Sequence, residues 1–330
     1  MNKHDHARRR LLGAALAAPF ATVLPAGVLA QTSTASRQTR IIVPFAPGGA
    51  SDALARVLAE RLTVSLGHRV LVDNKPGGGT VIGTQTALAA PADGQTLLLV
   101  AASFVVQPLL MAKAPYDLKQ DFAPVILAAS NPHVLVVHQS VPAANLNEFI
   151  AWAKAQRGAA SFASFGNGSS GHLGFERLKK AAGIDLIHVP FKGGAPAMQA
   201  LLGGQVSAML TDLPQALPSI KSGKIRAIAV GSAARDSTLP DVPTFSEAGL
   251  KGLVSESWFG FVVRAGTPPD QVALLNRSIQ AALRDPSMKS ALESTGLDLL
   301  GGSTDQLGAF LSSESTRFQE VIQSTGIKPE

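Results

Sequence analysis

The stretch Ile41–Leu62, IIVPFAPGGASDALARVLAERL, decides the fold of this chain. Its first three residues, Ile41–Val43, form a short apolar run that is typical of a buried strand. Two prolines and the pair Gly48–Gly49 then predict a turn, and leucine and valine side chains at helical spacing predict a helix up to Leu62. A strand, a glycine loop and a helix in this order direct unpaired backbone N–H groups and the positive end of the helix dipole at one point. Such a point suits a small anion, either a carboxylate or a phosphate.

Taken alone, this stretch leaves two interpretations open: an anion-binding loop, or a tight connection without a ligand. It lacks the Gly-Lys-Ser/Thr ending of a nucleotide P-loop and the spacing of a dinucleotide fingerprint. A second stretch favours the anion site, because Val189–Ala195 (VPFKGGA) echoes Val43–Ala50 (VPFAPGGA). The echo predicts two α/β halves, each with a glycine loop at the carboxyl end of a strand, which is where open α/β sheets bind ligands.

Length and composition predict a globular protein with room for two cores. The chain has 330 residues, of which 46% are hydrophobic and 16% charged, and it has no cysteine. The absence of cysteine excludes disulfides, thiolate metal sites and cysteine nucleophiles. Without residues 1–30, which hold four of the 29 basic and one of the 23 acidic side chains, the net charge is +3. No Lys/Arg run remains in that part, so no nucleic-acid partner is expected.

Residues 1–30 have the pattern of an export signal. A basic region with Lys3 and Arg8–Arg10 precedes an apolar segment, and Val28–Ala30 is a suitable cleavage site. The pair Arg8-Arg9 resembles a twin-arginine signal, but its neighbours depart from that pattern, so the general secretory route stays open. We expect cleavage after Ala30 and a soluble, monomeric product in the periplasm.

Three units of strand, loop and helix follow one another at the start of the remaining chain, which predicts a parallel sheet with right-handed crossovers. The predicted strands lie at 41–43, 69–73 and 96–100, and residues 108–124 are predicted to be rich in loops. Further strands are predicted at 134–137, 162–165, 206–210 and 225–230, and the strand 258–263 returns the chain to the first half before helical segments from Pro268.

Motifs between residues 43 and 268 carry a resemblance to a known family. They are Val43–Gly49 with Asp52, Asn74–Gly77, Pro91–Gly94, Pro115–Asp117, Gly166–Ser169 with His172–Leu173, His188–Gly193, Leu202–Val206, Leu239–Thr244 with Glu247–Gly249, and Ala265–Pro268. With these motifs the chain resembles the Bug (Bordetella uptake gene) family, the solute-binding proteins of tripartite tricarboxylate transporters. The resemblance covers essentially the whole chain after residue 30, and it specifies the family rather than the ligand.

The resemblance implies an α/β fold of the two-domain periplasmic binding protein type (type II-like). Each domain is then a mostly parallel sheet flanked by helices, with the ligand cleft between the domains. We expect 31–130 plus 260–330 to form domain 1 and 131–259 to form domain 2. The implied function is capture of a small organic mono- or dicarboxylate by domain closure, and its delivery to integral-membrane permease subunits without a cofactor or metal.

The resemblance also implies where the ligand binds. One carboxylate is held by the loop Phe45–Asp52, largely through backbone N–H groups and ordered water, and the loops Gly166–Ser170 and Lys192–Ala195 line the other wall. Phe191 and Thr211 depart from the family pattern near the far end of the solute. The full candidate set is Phe45, Ala46, Pro47, Gly48, Gly49, Ser51, Asp52, Thr80, Ser103, Gly166, Asn167, Gly168, Ser169, Ser170, Lys192, Gly193, Gly194, Ala195 and Asp212.

Several of these side chains have two interpretations. Asp52 is either a helix-start residue, which suits the dipole, or a contact that favours an amine or amide on the solute. Lys192 either pairs with a carboxylate or is a solvated loop lysine. Ser169 suits a helix cap better than a nucleophile, because no Gly-x-Ser-x-Gly elbow surrounds it. Gly49 and Gly193 are expected to tolerate side chains poorly, because a Cβ blocks close backbone approach or a positive φ.

Outside the loops, His172 and Glu176 lie four residues apart, as a metal pair does. A third ligand at motif spacing is missing, which favours a packing or capping role. Trp258 is expected in the core where the chain crosses between the halves, with ligand stacking as the alternative.

Three functions fit the cleft. A transport receptor is favoured over a hydrolase or isomerase, because no acid/base pair and no nucleophile–base set is evident, and no catalytic residue is expected. A carboxylate receptor that reports to a sensor kinase in a two-component system is the third, and the sequence does not separate it from the first.

Overall fold

A computed structural model of the chain describes residues 38–292 and 296–325. The predicted export signal at 1–30 lies outside these residues. Among the helices that are described, none combines the length and the apolar character needed to cross a membrane.

Strands and helices alternate through most of the described chain. The strands are β1 (Thr39–Val43), β2 (Val70–Asn74), β3 (Thr96–Val100), β4 (Phe122–His138), β5 (Ser161–Ser164), β6 (Ile187–Pro190), β7 (Ala208–Asp212), β8 (Ile225–Val230), β9 (Glu256–Arg264) and β10 (Asp298–Leu299). The helices are α1 (Ala50–Leu66), α2 (Val81–Leu88), α3 (Ala102–Leu110), α4 (Leu146–Ala155), α5 (Ser170–Ala182), α6 (Gly194–Leu202), α7 (Leu213–Lys221), α8 (Pro269–Arg284), α9 (Pro286–Leu292) and α10 (Thr304–Thr325).

The described strands follow one path, β2-β1-β3-β9-β4-β7-β5-β6, with β8 and β10 also paired to β4. We call β1, β2, β3, β9, β10 and the first part of β4 the first sheet, and β5–β8 with the rest of β4 the second sheet. In the first sheet β1 runs parallel to β2 and β3, and in the second β5 runs parallel to β6 and β7. The antiparallel pairs all involve β4 or β9.

The expectation of mostly parallel sheets therefore holds for three strands on each side, and the middle of the structure is antiparallel. The reason is that β4 leaves the first sheet for the second and β9 comes back beside it, so the two pair in opposite directions from Phe122↔Arg264 to Pro132↔Glu256. The predicted domain boundaries, at positions 130 and 260, lie inside these crossing strands. The division of the chain into two domains at these positions stays a prediction.

Both faces of each sheet are covered, which explains the nearly continuous apolar strands. In β1, Ile41 and Val43 pack against α1, α8 and α9, while Ile42 points to the other face with residues of α3 and α10. In β4, Leu135 and Val137 pack with α4 and α5, and Val134 and Val136 pack with α6 and α7.

The placement of the helix starts matters most for function. The parallel strands β1, β3, β5, β6 and β7 are each followed by a helix, namely α1, α3, α5, α6 and α7, which comes after a connection or, in the case of β7, directly. Parallel strands bring these connections to the carboxyl edge of each sheet. The crossing strands β4 and β9 hold the two edges against each other.

Candidate functional site

A narrow cavity lies between the two carboxyl edges, and we call it the inner cavity. Its volume is about 30 Å³, on a scale where one ordered water molecule needs roughly 10–15 Å³. It is lined by Phe45, Gly49, Ala50, Ser51, Ala101, Ala102, Ser103, Phe165, Ser169, Ser170, Gly194, Asp212, Gln215, Ser257 and Phe259. A cavity of this volume admits only a slender molecule of few atoms.

Among the described helices, five begin at this cavity: α1, α3, α5, α6 and α7. At α1, α3 and α6 the N-cap residues are Gly49, Ala101 and Gly193, whose side chains have no atom with which to accept a hydrogen bond. At α7 the N-cap residue is Asp212, and its side chain caps nothing. Uncapped helix starts carry orphan backbone donors and a positive partial charge. The cavity is therefore surrounded by the groups that bind a carboxylate.

The fifth helix start is capped. Ser169 Oγ accepts a hydrogen bond of 3.3 Å from the backbone N–H of His172, so the sequence interpretation of Ser169 as a cap is confirmed. His172 holds the same loop from the other side, because its Nδ1 accepts from Gly168 N–H at 3.2 Å. Burial, with smaller contributions from His188 and Lys179, lowers the pKa of His172 to about 3. The neutral ring is the form that accepts this bond.

No Lys or Arg side chain is among the described residues that line the inner cavity, and the single charged side chain is Asp212. The other polar side chains are the hydroxyls of Ser51, Ser103, Ser257 and the α5 start, and the amide of Gln215. The Ser103 hydroxyl is buried without a hydrogen-bond partner within the described part of the chain. An anion in this cavity meets backbone and hydroxyl donors rather than side-chain cations.

Two hydrogen bonds join the walls of the cleft. The backbone N–H of Ala46 donates to the carbonyl of Lys192 at 2.7 Å, which links the two VPF-containing loops directly. In a second contact between the walls, Gln107 Nε2 donates to the carbonyl of Asn167 at 2.8 Å. The predicted approach of the two glycine loops is thus present in the structure.

The glycines of these loops differ in what they require. Gly193 has a φ of +134°, and a Cβ there lies 3.2 Å from Ala46 N. Gly48 has a φ of +91°, also a glycine conformation. Gly49 has an ordinary extended backbone, with φ of −91°, and a Cβ meets nothing closer than Gly194 N at 3.9 Å. The expected reasons for glycine, a positive φ or a close backbone approach, are therefore found at Gly193 but not at Gly49.

A second, wider cavity lies on the other side of Phe45 and Phe165, which line both, and we call it the outer cavity. Its volume is about 380 Å³. It is lined by Pro44, Phe45, Gly77, Gly78, Gly79, Thr80, Val81, Ile82, Gln107, Met111, Phe165, Gly166, Asn167, Pro190, Phe191 and Lys192. Thr80 is a non-glycine residue at a φ of 88°, and its hydroxyl is buried without a partner among the described residues.

The candidate residues divide into three groups. Eight line the inner cavity: Phe45, Gly49, Ser51, Ser103, Ser169, Ser170, Gly194 and Asp212. Four line only the outer cavity: Thr80, Gly166, Asn167 and Lys192. Seven line neither, although they belong to the same loops: Ala46, Pro47, Gly48, Asp52, Gly168, Gly193 and Ala195. Ligand contact by any of them stays a prediction.

Sequence reasoning missed Gln215, Ser257 and Phe259, together with Ala50, Ala101, Ala102 and Phe165. The alternation of side chains along a strand contains a signal for two of them. Trp258 is 2% exposed, and its Nε1–H donates to Glu314 at 2.7 Å, so it is a core residue as expected. Its neighbours Ser257 and Phe259 point the other way and reach the cavity.

Asp52 is fully engaged in supporting its loop. Its Oδ2 accepts from Gly48 N–H at 3.0 Å and from Arg56 Nε at 2.9 Å, and its Oδ1 accepts from Asn74 Nδ2 at 2.9 Å. Burial raises the pKa of Asp52, but these three donors together outweigh burial and hold the pKa below its usual range. The structural interpretation of Asp52 explains every contact it makes.

A buried polar network lies beneath the α5 and α7 starts. His133, fully buried, contacts Ser255 through Nδ1 at 2.8 Å and Ser257 through Nε2 at 2.9 Å. Burial lowers the pKa of His133 to about 3. Burial has the opposite effect on the acid Asp212 and raises its pKa to about 6, although the side chains of Ser257 and Asn131 lower this pKa in part. Neither amide atom of Asn131 reaches hydrogen-bond geometry.

His172 and Glu176, which the sequence offers as a possible metal pair, both contact other side chains of the protein. Glu176 Oε1 accepts from Lys179 at 3.0 Å, and the His172 ring stacks on His188 with centroids 3.8 Å apart. In the described ranges no three His, Cys, Asp or Glu side chains are grouped as a metal site. These contacts agree with the packing and capping role.

Two α/β sheets joined by crossing strands, with a cleft between their carboxyl edges, define a periplasmic binding protein fold. Residues 54–327 match the family described as "Tripartite tricarboxylate transporter family receptor". The chain belongs to this family, and the predicted Bug membership is confirmed. Protein BugT of Bordetella pertussis (strain Tohama I) is 37% identical over 311 residues, which cover 93% of this chain and 95% of BugT.

Solved structures agree with this assignment. The periplasmic binding protein BugD is 35% identical, with a TM-score of 0.85, over 89% of this chain and 99% of that chain. Rpa4515 of R. palustris, solved with adipate, is 33% identical, with a TM-score of 0.85 and the same coverage. The predicted fold class is confirmed, and the chain is a solute-binding protein of the Bug type.

Proposed function

We propose that this protein captures a small organic carboxylate in the inner cavity by closure of the two walls. It then delivers the acid to the membrane subunits of a tripartite tricarboxylate-type transporter. The observation that carries the proposal is the convergence of five helix N-termini on one narrow cavity, three of which, those of α1, α3 and α6, have N-cap residues whose side chains cannot cap. A carboxylate supplies the acceptors that these donors lack.

The energetics support a site that needs both walls. A micromolar ligand requires about 8 kcal/mol, whereas one helix terminus contributes about 0.3–1 kcal/mol and a charge-assisted hydrogen bond roughly 1.5–3 kcal/mol. Binding also costs several kcal/mol in lost freedom of motion. Several helix starts and hydroxyls acting together reach the required free energy, and those of one wall alone do not.

The relatives support the ligand class and the location. Rpa4515 is solved with adipate, a dicarboxylate, and BugD is described as periplasmic. We infer a periplasmic location for this chain as well, reached through the signal pattern at residues 1–30.

An enzyme is the weaker alternative. The histidine nearest to the cavity hydroxyls, His133, has both ring nitrogens engaged with serines, and burial keeps it neutral. A receptor that signals to a sensor kinase binds the acid in the same way as a transport receptor. Experiments in cells therefore have to distinguish these two functions, because the binding site does not.

Native mass spectrometry of the purified protein, looking for a co-purified acid, tests the proposal first. Calorimetry then compares small mono- and dicarboxylates with sugars, with and without divalent metal. Binding of sugars alone, or binding that depends on the metal, contradicts the proposal. An acid recovered chemically altered after incubation indicates an enzyme.

A deletion strain separates the two receptor functions. Loss of uptake of the bound acid supports delivery to a transporter. Loss of acid-induced transcription with uptake unchanged supports sensing.

A further inference from the structure

Two buried aspartates lie near the glycine loops, and their surroundings differ. Asp52, 4% exposed, has a donor on each of its oxygens and lines neither the inner nor the outer cavity. Asp212, 5% exposed, lines the inner cavity, and its Oδ1 is buried with no hydrogen-bond partner within the described chain. The first carboxylate is explained by the fold and the second is not.

No cation compensates Asp212. Within residues 38–292 and 296–325, the only ionisable nitrogen within 4.0 Å of its carboxylate is His133 Nε2, at 3.6 Å. His133 is fully buried and neutral. An unpaired buried carboxylate costs free energy unless a partner completes it.

The side chain of Asp212 also does not cap the helix that it begins. It occupies the N-cap position of α7, yet its side chain does not accept from the helix backbone. Gln215, in the first turn of the same helix, lines the same cavity, and its Oε1 is buried without a partner among the described residues. The amide of Gln215 is able to turn and offer either atom, but an ionised Asp212 is able only to accept. On this wall of the cavity, two acceptors, Asp212 Oδ1 and Gln215 Oε1, are thus buried without a donor among the described residues.

We propose that the ligand is a small carboxylate whose other end carries N–H or O–H donors, and that Asp212 selects it against the corresponding dicarboxylate. The proposal rests on the proposed function and places the carboxylate end at the uncapped starts of α1, α3 and α6. An amide, ammonium or hydroxyl group at the other end then donates to Asp212. A second carboxylate there places two negative charges side by side, and neither of the two groups carries a donor.

Matched pairs of acids test the selection, because an amide and a carboxylate have nearly the same shape. Calorimetry compares succinamate with succinate, glutaramate with glutarate, and adipamate with adipate, at about pH 8, where Asp212 is ionised. We expect the amide acid of the pair that fits to bind at least about tenfold more tightly than its dicarboxylate, since hydrogen bonds to charged groups are worth that much or more.

Asp212→Asn preserves the shape and adds a donor, so the preference is expected to disappear or reverse. Thr211→Val is the matched control. The resemblance places Thr211 near the far end of the solute, but in the structure Thr211 lines neither cavity. Its hydroxyl is buried without a hydrogen-bond partner among the described residues, and it precedes Asp212 on β7. We expect it to retain the preference of the wild type.

The outcomes separate the two proposals. If no acid of any pair binds, the proposed function fails, and this inference fails with it. If acids bind but the wild type prefers the dicarboxylate or treats the pairs alike, the inference is wrong while the proposed function stands. The same holds if Asp212→Asn keeps the wild-type preference. If Asp212→Asn does not fold, the preference of the wild type between amide acid and dicarboxylate decides whether the inference is correct.

Discussion

Gly193→Ala is the substitution that most directly tests the meeting of the two loops. Gly193 has φ of 134° and ψ of 179°, a region that is essentially restricted to glycine. It follows Lys192, whose carbonyl accepts the 2.7 Å hydrogen bond from Ala46 N–H across the cleft. An added Cβ lies 3.2 Å from Ala46 N and 3.5 Å from the Cβ of Phe45, so the methyl group meets the opposite loop.

The cost has two parts. Holding alanine in this conformation costs about 1–3 kcal/mol, and losing or lengthening the loop-to-loop hydrogen bond costs about 0.5–1.5 kcal/mol. The contact with the opposite loop exists only when the walls meet, so that part falls on the closed, ligand-binding form. Only the contact part changes the affinity, and about 1 kcal/mol in the closed form weakens binding by roughly fivefold.

Calorimetry with a bound acid, together with urea denaturation, separates the effect on binding from the effect on folding. Gly223→Ala is the control, because Gly223 has a φ of +72° with nothing within 4 Å of the added Cβ. It imposes backbone strain away from the cleft, so we expect lower stability and unchanged affinity. If Gly193→Ala binds the acid as the wild type does, the two loops do not close the site together and the reasoning is refuted.

Three further predictions concern single buried side chains. Asp52→Asn is expected to lower the free energy of unfolding by about 1–2 kcal/mol at neutral pH. Because the folded-state pKa of Asp52 is lowered, its contribution is present above the ordinary carboxyl pKa and is lost as the pH falls, so urea denaturation at low pH should show little difference. His172→Phe keeps the stacked ring but removes the acceptor of a loop N–H, and we expect several-fold weaker acid binding by calorimetry; unchanged affinity would mean that the α5 loop is held by other contacts. Asp212→Asn is expected to stabilise the ligand-free protein by about 1–3 kcal/mol at pH 7.5 or above. Since burial raises the folded-state pKa of Asp212 to about 6, ionisation costs stability as the pH rises through that value, and the gain should vanish near pH 4; an equal gain at both pH values contradicts this reasoning.

Local patterns predicted most of the first half of the fold. The apolar run at 41–43 became β1, and the helical spacing up to Leu62 became α1, which ends at Leu66. These elements obey their own periodicity, because both faces of the strand and one face of the helix are buried locally. The crossing strand predicted at 258–263 became β9, Glu256–Arg264.

Two elements could not be predicted in this way. Residues 108–124 were predicted to be rich in loops, yet α3 extends to Leu110 with Pro108 inside it, and β4 begins at Phe122. Within β4, Pro124 and Pro132 argue against a strand, but pairing with β9 on one side holds the long strand together through shifts of register. Tertiary pairing overrides the local signal here.

The site shows the same division. The glycine loops were visible in the sequence, because their residues are adjacent along the chain. The start of α3 and the two inward residues of β9 reach the cavity only through the packing of sheets that are distant in sequence. The missing partner of Asp212 is a property of the folded surroundings, so no spacing in the sequence indicates it.

In the proposed function the ligand is captured by closure, and the uncapped helix starts offer a driving force for that closure. Replacing a good N-cap by a residue that does not cap costs a helix about 1 kcal/mol, and this chain carries Gly49 and Ala101 on one wall and Gly193 on the other. A carboxylate between the walls acts as the missing cap for helices on both sides at once. The stabilisation is complete only when the walls meet, because one wall alone leaves the acid facing water. A fixed Lys or Arg in the cavity would hold the acid in the open form as well. Because the described lining contains neither, the acid is retained only while the walls meet, and it is released when they separate.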